Sequence, residues 1–96
     1  MSEVKITVFE TGKEVGYIQS FPESPSLKEM QEIVGGLIQV VPFSSTEFMV
    51  VNEEGLLLDL PINDLANEAL KITNPNFANF NVIVGNCFLI KHDEFE

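Results

Sequence analysis

Apolar and polar residues alternate near the start of the chain, over residues 4–8. This two-residue period is typical of a strand with one buried face. Turn-forming residues follow at 11–13, and residues 15–18 then predict a second strand. Two strands joined by so short a loop form a hairpin. We therefore predict an N-terminal hairpin over residues 1–21, closed by Pro22 and Pro25.

A helical pattern follows the hairpin. Ser26 and Glu29 have the spacing of a capping box, in which each side chain accepts a hydrogen bond from a free backbone amide. The apolar residues behind it recur at helical spacing: Leu27, Met30, Ile33 and Val34. The helix is predicted to end at Gly35-Gly36, with Gly36 in the left-handed conformation. On that basis Gly36→Val should cost roughly 1–3 kcal/mol of stability.

β-Branched and aromatic residues dominate the middle of the chain, at 37–41 and 47–51. These segments predict two further strands. The Asn-Glu-Glu-Gly sequence at 52–55 is typical of a tight turn with Gly55 at positive φ, after which residues 56–58 would form a short strand. We therefore predict a three-stranded meander.

A second helix is predicted after Pro61. Asn63 is its expected N-cap, and Asp64 lies favourably at the positive end of the helix dipole. Its apolar residues recur at helical spacing: Ile62, Leu65, Ala66, Ala69 and Leu70. Residues 73–81 contain four Asn and one Pro, which predicts a loop that exposes Phe77 and Phe80.

The last predicted strand, residues 82–91, passes through Gly85, which indicates a bulge or a close approach of another backbone. It is apolar on both faces. Such a strand must be covered on both sides. We predict an α+β domain: a mostly antiparallel sheet of five to six strands with two short helices on one face. The other apolar face would then meet another subunit of a homo-oligomer. The single domain, residues 1–96, would comprise the hairpin (1–21), a core (26–91) and a solvated acidic tail (92–96).

Charge narrows the range of partners. The chain carries 15 Asp and Glu against 5 Lys, has no Arg, and has a net charge of -10. A protein of this charge repels phosphate backbones and lacks the basic clusters that bind them, so we expect no nucleic-acid partner. No apolar run approaches the roughly 20 residues of a membrane span, and no signal segment is apparent. We therefore expect a soluble, cytoplasmic protein without membrane contact.

Candidate chemistry is sparse. The single cysteine and single histidine, Cys87 and His92, can form neither an internal disulfide nor a zinc site. Glu53 and Glu54 are adjacent on a predicted turn with no histidine beside them, which favours solvated carboxylates over acid–base catalysis. We therefore expect no enzyme, no catalytic residues, no metal and no cofactor.

Three short motifs stand in order along the chain: Ile-Val-Gly-Gly at 33–36, Asn-Glu-Glu-Gly at 52–55 and Leu-Pro-x-Asn at 60–63. On these motifs, between Leu27 and Ile90, the chain resembles a family of small domains of unknown function that recurs in bacteriophages, prophages and other mobile elements. The resemblance implies an accessory phage protein acting in the host bacterial cell. By analogy with other small acidic phage proteins, it implies an anti-defence role in which subunits of an oligomer trap a nucleotide-type immune signal.

Six residues are candidates for contacting such a ligand: Asn63, Phe77, Phe80, Lys71, Tyr17 and Gly36. Aromatic rings can stack on a base, and the abundant Asn amides can both donate and accept hydrogen bonds. Five of the six also have a structural interpretation, which is core or interface packing for the three rings and helix capping for Asn63 and Gly36. A nucleotide trap usually contains Arg, which this chain lacks. The alternative function is an acidic protein–protein interaction module that inhibits a host protein.

Overall fold

The structure, a computed structural model, describes residues 3–95. In chain order its elements are β1 (Val4–Phe9), β2 (Tyr17–Phe21), α1 (Leu27–Val34), β3 (Ile38–Pro42), β4 (Glu47–Asn52), α2 (Asp64–Thr73), α3 (Pro75–Phe80), β5 (Cys87–Lys91) and a 3-10 helix (His92–Glu94). The strands form an antiparallel sheet in the order β2-β1-β5-β4-β3. The predicted α+β class with an antiparallel sheet is confirmed, with five strands.

The N-terminal hairpin is confirmed, but its second strand lies further along the chain than predicted. β2 pairs with β1 from Val4↔Phe21 to Val8↔Tyr17. This register buries Phe21 beside Val4 in the core, whereas Val15 remains exposed outside the strand. Burial of the Phe21 ring therefore sets the register.

The sheet is covered by helices on both faces. One face packs against α1, and its buried cluster comprises Val4, Ile6, Val8, Phe21, Met30, Val34, Val50, Phe88 and Ile90. The other face packs against α2 and α3, and its buried cluster comprises Phe9, Val41, Phe43, Met49, Val51, Ala66, Leu70, Ile83, Cys87 and Leu89. This arrangement corrects the expected placement of both helices on one face. The doubly apolar β5 is covered by its own chain, so it provides no surplus face for a second subunit.

Two segments differ from their predicted conformations. Residues 56–58 lie in consecutive turns rather than a strand, so the middle of the chain is a hairpin and not a meander. Gly55 does not take positive φ; Asp59 does, at 58°. Gly55 is instead a site of close packing, because a Cβ there would lie 2.6 Å from Cγ2 of Val84.

The segment predicted as an Asn-rich loop contains α3. The Asn74 side chain caps this helix by accepting a hydrogen bond from the Phe77 amide, and Pro75 occupies the first turn. Proline is tolerated at that position because the first amides of a helix have no intrahelical acceptor. The Asn-Pro pair therefore starts a helix here.

The end of the chain is less solvated than predicted. The Phe95 ring packs against the α1-side cluster and meets the Phe48 ring edge-to-face at 5.7 Å between centroids. His92 also lies against Phe48, with ring centroids 4.0 Å apart. Glu96 lies outside the described residues.

The end of α1 corrects the assignment of the left-handed glycine. Gly35, with φ 82°, is the C-cap, and its amide donates to the Gln31 carbonyl. Gly36 does not have positive φ; a Cβ there would instead lie 2.9 Å from Nδ2 of Asn52. Since Asn52 Nδ2 donates to the Val34 carbonyl, Gly36 leaves room for the amide that fastens the end of α1 to β4.

We predict that Gly35→Ala lowers the free energy of unfolding by about 1 kcal/mol, because a Cβ disfavours the left-handed conformation. The space around Gly35 is open, so a steric clash should not add to the loss. Gly35→Asn should lose less, since Asn tolerates this conformation better than Ala. Urea denaturation followed by circular dichroism measures both variants, and equal losses would contradict this explanation.

Candidate functional site

The six ligand candidates do not converge within one copy of the chain. Tyr17 begins β2 at one edge of the sheet, whereas Gly36 precedes β3 at the opposite edge. Four strand spacings separate these edges, about 19 Å. The Tyr17 hydroxyl donates to the Glu10 carboxylate at 3.0 Å. The Tyr17 pKa is raised, mainly by desolvation and to a smaller extent by this contact with Glu10.

Asn63 is fully buried and is the N-cap of α2, as predicted. Its Nδ2 donates to the carbonyls of Phe9 and Gly85, both at 2.9 Å, and its Oδ1 accepts from the Ala66 amide at 3.0 Å. The side-chain amide therefore joins β1, the bend at Gly85 that precedes β5, and the first turn of α2. It has no free surface on which to meet a ligand.

Most other asparagines also bind the backbone of their own chain. The Asn67 side chain brackets Ile83, accepting from its amide and donating to its carbonyl. Asn86 accepts from the Thr11 amide, and Asn74 donates to the Pro42 carbonyl. Six of the eight asparagines make such bonds, namely those at 52, 63, 67, 74, 81 and 86. Their abundance therefore reflects architecture more than ligand recognition.

Of the three remaining candidates, only Phe77 lines a groove, a small one between β3 and α3. Phe77 lines this groove together with Gln39, Asn81 and Val82, whereas Phe80 and Lys71 are exposed. The groove encloses about 110 Å³, less than the roughly 300 Å³ at which ligand cavities begin. It is too small to enclose a nucleotide within one copy.

Two wider depressions are open. One, of about 360 Å³, is lined by three carboxylates and one ammonium group, from Lys13, Glu14, Asp64 and Glu68, so its net charge repels a phosphate. The other, of about 450 Å³, is lined by Lys91, His92 and Asp93 among others. None of the six candidate residues lines either depression.

The most unusual surface feature is the turn segment 53–60, which we call the leucine loop. Its side chains Leu56, Leu57 and Leu58 are 70%, 86% and 53% exposed. The sequence pattern predicted a strand for these three residues, and their exposure on a turn was not expected. The signal was nonetheless present, because three leucines stand between acidic residues.

The leucine loop is held by its own hydrogen bonds. The Glu54 amide donates to Asn52 Oδ1 at 2.8 Å, and the Leu58 amide donates to the Glu54 carbonyl at 2.8 Å. The Leu60 amide donates to the Gly55 carbonyl at 3.0 Å. At the base of the loop, Gly55 is buried against Val84. The exposed leucines are thus presented on an ordered turn.

Carboxylates flank these leucines in the sequence. Glu53, Glu54 and Asp59 are all exposed. Between Lys28 and Lys71 the chain has eight Asp or Glu and no basic residue. The loop therefore combines an apolar tip with an acidic rim, in the part of the sequence where negative charge is least compensated.

A family model described as Domain of unknown function (DUF3846) matches residues 4–96. The chain belongs to the DUF3846 family. The match includes the N-terminal hairpin, beyond the span from Leu27 to Ile90 that carries the sequence resemblance. The comparison with curated proteins found no match. The search of solved structures likewise found none.

Cysteine reactivity and metal binding in this DUF3846 domain depend on where its side chains lie. Cys87 is buried, and burial raises its pKa to about 12, so the thiol stays protonated at neutral pH. Among residues 3–95, His, Cys, Asp and Glu side chains form no group of three that could hold a metal ion. No helix of the described chain is both long and apolar enough to cross a bilayer.

We predict that Asn63→Ala lowers the free energy of unfolding of the DUF3846 domain by roughly 2–4 kcal/mol. The variant loses the N-cap and leaves two buried carbonyls without their donor. Asn79→Ala is the matched control, because Asn79 is exposed on α3, and it should change stability by less than about 0.5 kcal/mol. Urea denaturation measures both, and similar losses would contradict the role assigned to Asn63.

The stability of a second variant at this position, Asn63→Asp, should depend on pH. The aspartate keeps the cap acceptor but places a carboxylate against the Phe9 and Gly85 carbonyls. Burial and repulsion by these two oxygens favour the neutral acid, whereas the Ala66 amide bond favours the anion. We expect burial and repulsion to dominate and to raise the folded-state pKa of the aspartate above its ordinary value. The stability of this variant should therefore increase relative to wild type as the pH is lowered, and be lost as the pH rises.

A further prediction concerns Cys87. Its pKa is about 12 when folded, against an ordinary value of 9.0. Its contribution to stability is fully present below pH 9 and declines as the pH rises toward 12, by up to about 1.4 kcal/mol per pH unit. The free energy of unfolding of Cys87→Ala, measured by urea denaturation, should therefore fall less steeply between these pH values than that of the wild type. If both proteins lose stability equally with pH, the buried thiol does not make this contribution.

Proposed function

We propose that this DUF3846 domain is a non-enzymatic interaction module that docks its leucine loop into an apolar, basic-rimmed groove of a partner protein. The observation that carries the proposal is the exposure of Leu56, Leu57 and Leu58 on one ordered turn. A soluble protein exposes isolated apolar side chains routinely, but a contiguous apolar patch with a polar rim is a feature of interaction sites.

The leucine loop is suited to binding without a large ordering cost. Burying one exposed leucine contributes about 1.5–3 kcal/mol. The turn is already held by the hydrogen bonds of Glu54, Leu58 and Leu60, so association need not order a flexible segment. Three leucines on such a turn can provide the central anchor of an interface, surrounded by a polar rim.

Charge specifies the chemistry of the partner. The carboxylates of Glu53, Glu54 and Asp59 would repel an acidic or phosphate-bearing surface and attract Lys and Arg. Opposite charges at an interface rim accelerate association more than they add affinity, and salt weakens this steering. The partner is therefore a protein with an apolar groove lined at its edge by basic side chains.

The biological setting of the proposal comes from the resemblance to phage and prophage domains. In that setting the partner is a host bacterial protein and docking inhibits it, an anti-defence activity in the cytoplasm. Sequestration of a nucleotide-type signal is the second proposal. One observation favours it: Phe80 is 87% exposed at the end of α3, where it could stack on a base if a neighbouring subunit covered it.

The docking proposal predicts that Leu57→Ser weakens partner binding at least about tenfold, which corresponds to 1.4 kcal/mol. Ile72→Ser is the matched control, because Ile72 on α2 is 81% exposed, and it should leave affinity within about twofold. The partner is first identified in cells by a photoreactive amino acid at position 57, with the same group at position 72 as the reference. Calorimetry with the purified partner then measures affinity.

The Glu53→Gln, Glu54→Gln double variant tests the rim. It should slow association and flatten its salt dependence while changing dissociation little. Equal cross-linking from positions 57 and 72, or unchanged affinity in Leu57→Ser, would overturn the docking proposal. If native mass spectrometry instead finds a nucleotide in fixed ratio to the chain, lost in Phe80→Ala and kept in Leu57→Ser, the second proposal replaces it.

A further inference from the structure

We propose that two copies of this chain associate through β2, pairing antiparallel about a two-fold axis so that their sheets join into one. The proposal rests on the free edge of β2 and does not depend on the leucine loop. Its occupant is a second copy of the same chain.

The two edges of the sheet differ in how well they are closed to a further strand. β3 ends in Pro42, which has no backbone N–H, and the Pro42 carbonyl accepts a hydrogen bond from Asn74 Nδ2 at 2.9 Å. β2 contains neither proline nor a charged residue, and its pairing with β1 is unbroken. Proline, charge and bulges are the usual means of preventing edge association, and β2 lacks all three.

Exposed apolar side chains lie on β2 and on the segment just before it, and their burial would favour association. Val15, Tyr17 and Ile18 are 76%, 46% and 60% exposed. Ile18 stands opposite Thr7 of β1, on the side of the sheet away from the cluster that buries Phe21. Three exposed apolar side chains therefore lie at this edge, two within β2 and one, Val15, two residues before it.

Charge indicates why the occupant is a second copy. Residues 15–22 contain no charged side chain, although the whole chain carries -10. Two charged groups beside β2 are opposite in sign: Lys5 stands opposite Ser20, and Glu10 accepts a hydrogen bond from the Tyr17 hydroxyl. Two such chains repel each other over most of their surfaces, so they can approach with least repulsion where both are neutral. A basic partner would gain no charge complementarity from this edge. An identical strand, by contrast, satisfies the same backbone donors and acceptors reciprocally.

The geometry also limits the strength of the association. Each β2 has five residues, and the contact of two short strand edges buries less than the roughly 1,200 Å² of a stable interface. The dimer should therefore depend on concentration. Added salt should strengthen it, because salt screens the repulsion between the two acidic copies. Docking of the leucine loop on a basic partner responds to salt in the opposite direction.

Sedimentation equilibrium of the full chain tests this inference, at protein concentrations up to about 1 mM and in about 0.05 and 0.5 M NaCl. We expect a monomer–dimer equilibrium that shifts toward dimer in the higher salt. Ile18→Lys should weaken dimerisation at least about tenfold, since two ammonium groups would meet at the new contact. Ile72→Lys adds the same charge at an exposed site on α2, and it should retain the dimer.

Thermal unfolding by circular dichroism establishes that both lysine variants are folded; if Ile18→Lys is not, Ser20→Lys, at an exposed position of β2, replaces it. A wild-type chain that remains monomeric throughout, a dimer insensitive to lysine in β2, or a dimer weakened by salt would each overturn the inference. Leu57→Ser should leave the dimer intact, so a failure of this inference is distinguishable from a failure of the docking proposal.

Discussion

The side-chain amide of Asn63 is the interaction on which the arrangement of this domain most depends. It joins the end of β1, through Phe9, to the turn at Gly85 and to the first turn of α2. The Asn63 main-chain amide also donates to the Ile83 carbonyl at 3.0 Å. Buried backbone groups need partners wherever a regular ladder is absent, and here one side chain provides three of them. Asn63 thereby positions the segment that leads β5 into the sheet between β1 and β4.

This use of amides changes how the composition should be understood. An excess of asparagine on a surface can indicate recognition of bases or peptides, but most of these amides bind their own backbone. Each buried side-chain N or O atom within residues 3–95 has a hydrogen-bond partner. The groups left to interact with other molecules are mainly carboxylates and exposed apolar side chains. Carboxylates combined with apolar side chains are suited to protein–protein contacts, whereas phosphate recognition requires basic groups.

The charge distribution gives the two proposed contacts different character. The leucine loop lies in a stretch of sequence without basic residues, and the proposed partner is therefore basic. β2 carries no charged side chain of its own, and the proposed partner of its edge is a copy of the same acidic chain. Neither contact needs the doubly apolar β5, which is covered on one side by α1 and on the other by α2 and α3. The apolar pattern of β5 therefore reflects an internal strand.

Local pattern was sufficient for the elements whose stabilising contacts are near in sequence. The capping box at Ser26 and Glu29 and the N-cap at Asn63 both predicted helices that the structure contains. Alternation over β1 and the branched residues of β3 and β4 predicted strands for the same reason. The Asn-Pro start of α3 was missed because an Asn-rich segment resembles a loop until Asn74 is seen to bond both Phe77 and Pro42.

Sequence alone determined the α+β class, the acidic surface and the main helix caps, since these follow from residue type and close spacing. Tertiary structure decided three outcomes: the left-handed conformation of Gly35, the exposure of the leucines at 56–58, and the coverage of both faces of the sheet by helices. Those outcomes depend on contacts between distant residues: Gly36 meets Asn52, Gly55 meets Val84, and α1 and α2 approach opposite faces of β5. No local period encodes such contacts, because their energy arises only when the chain has brought the two partners together.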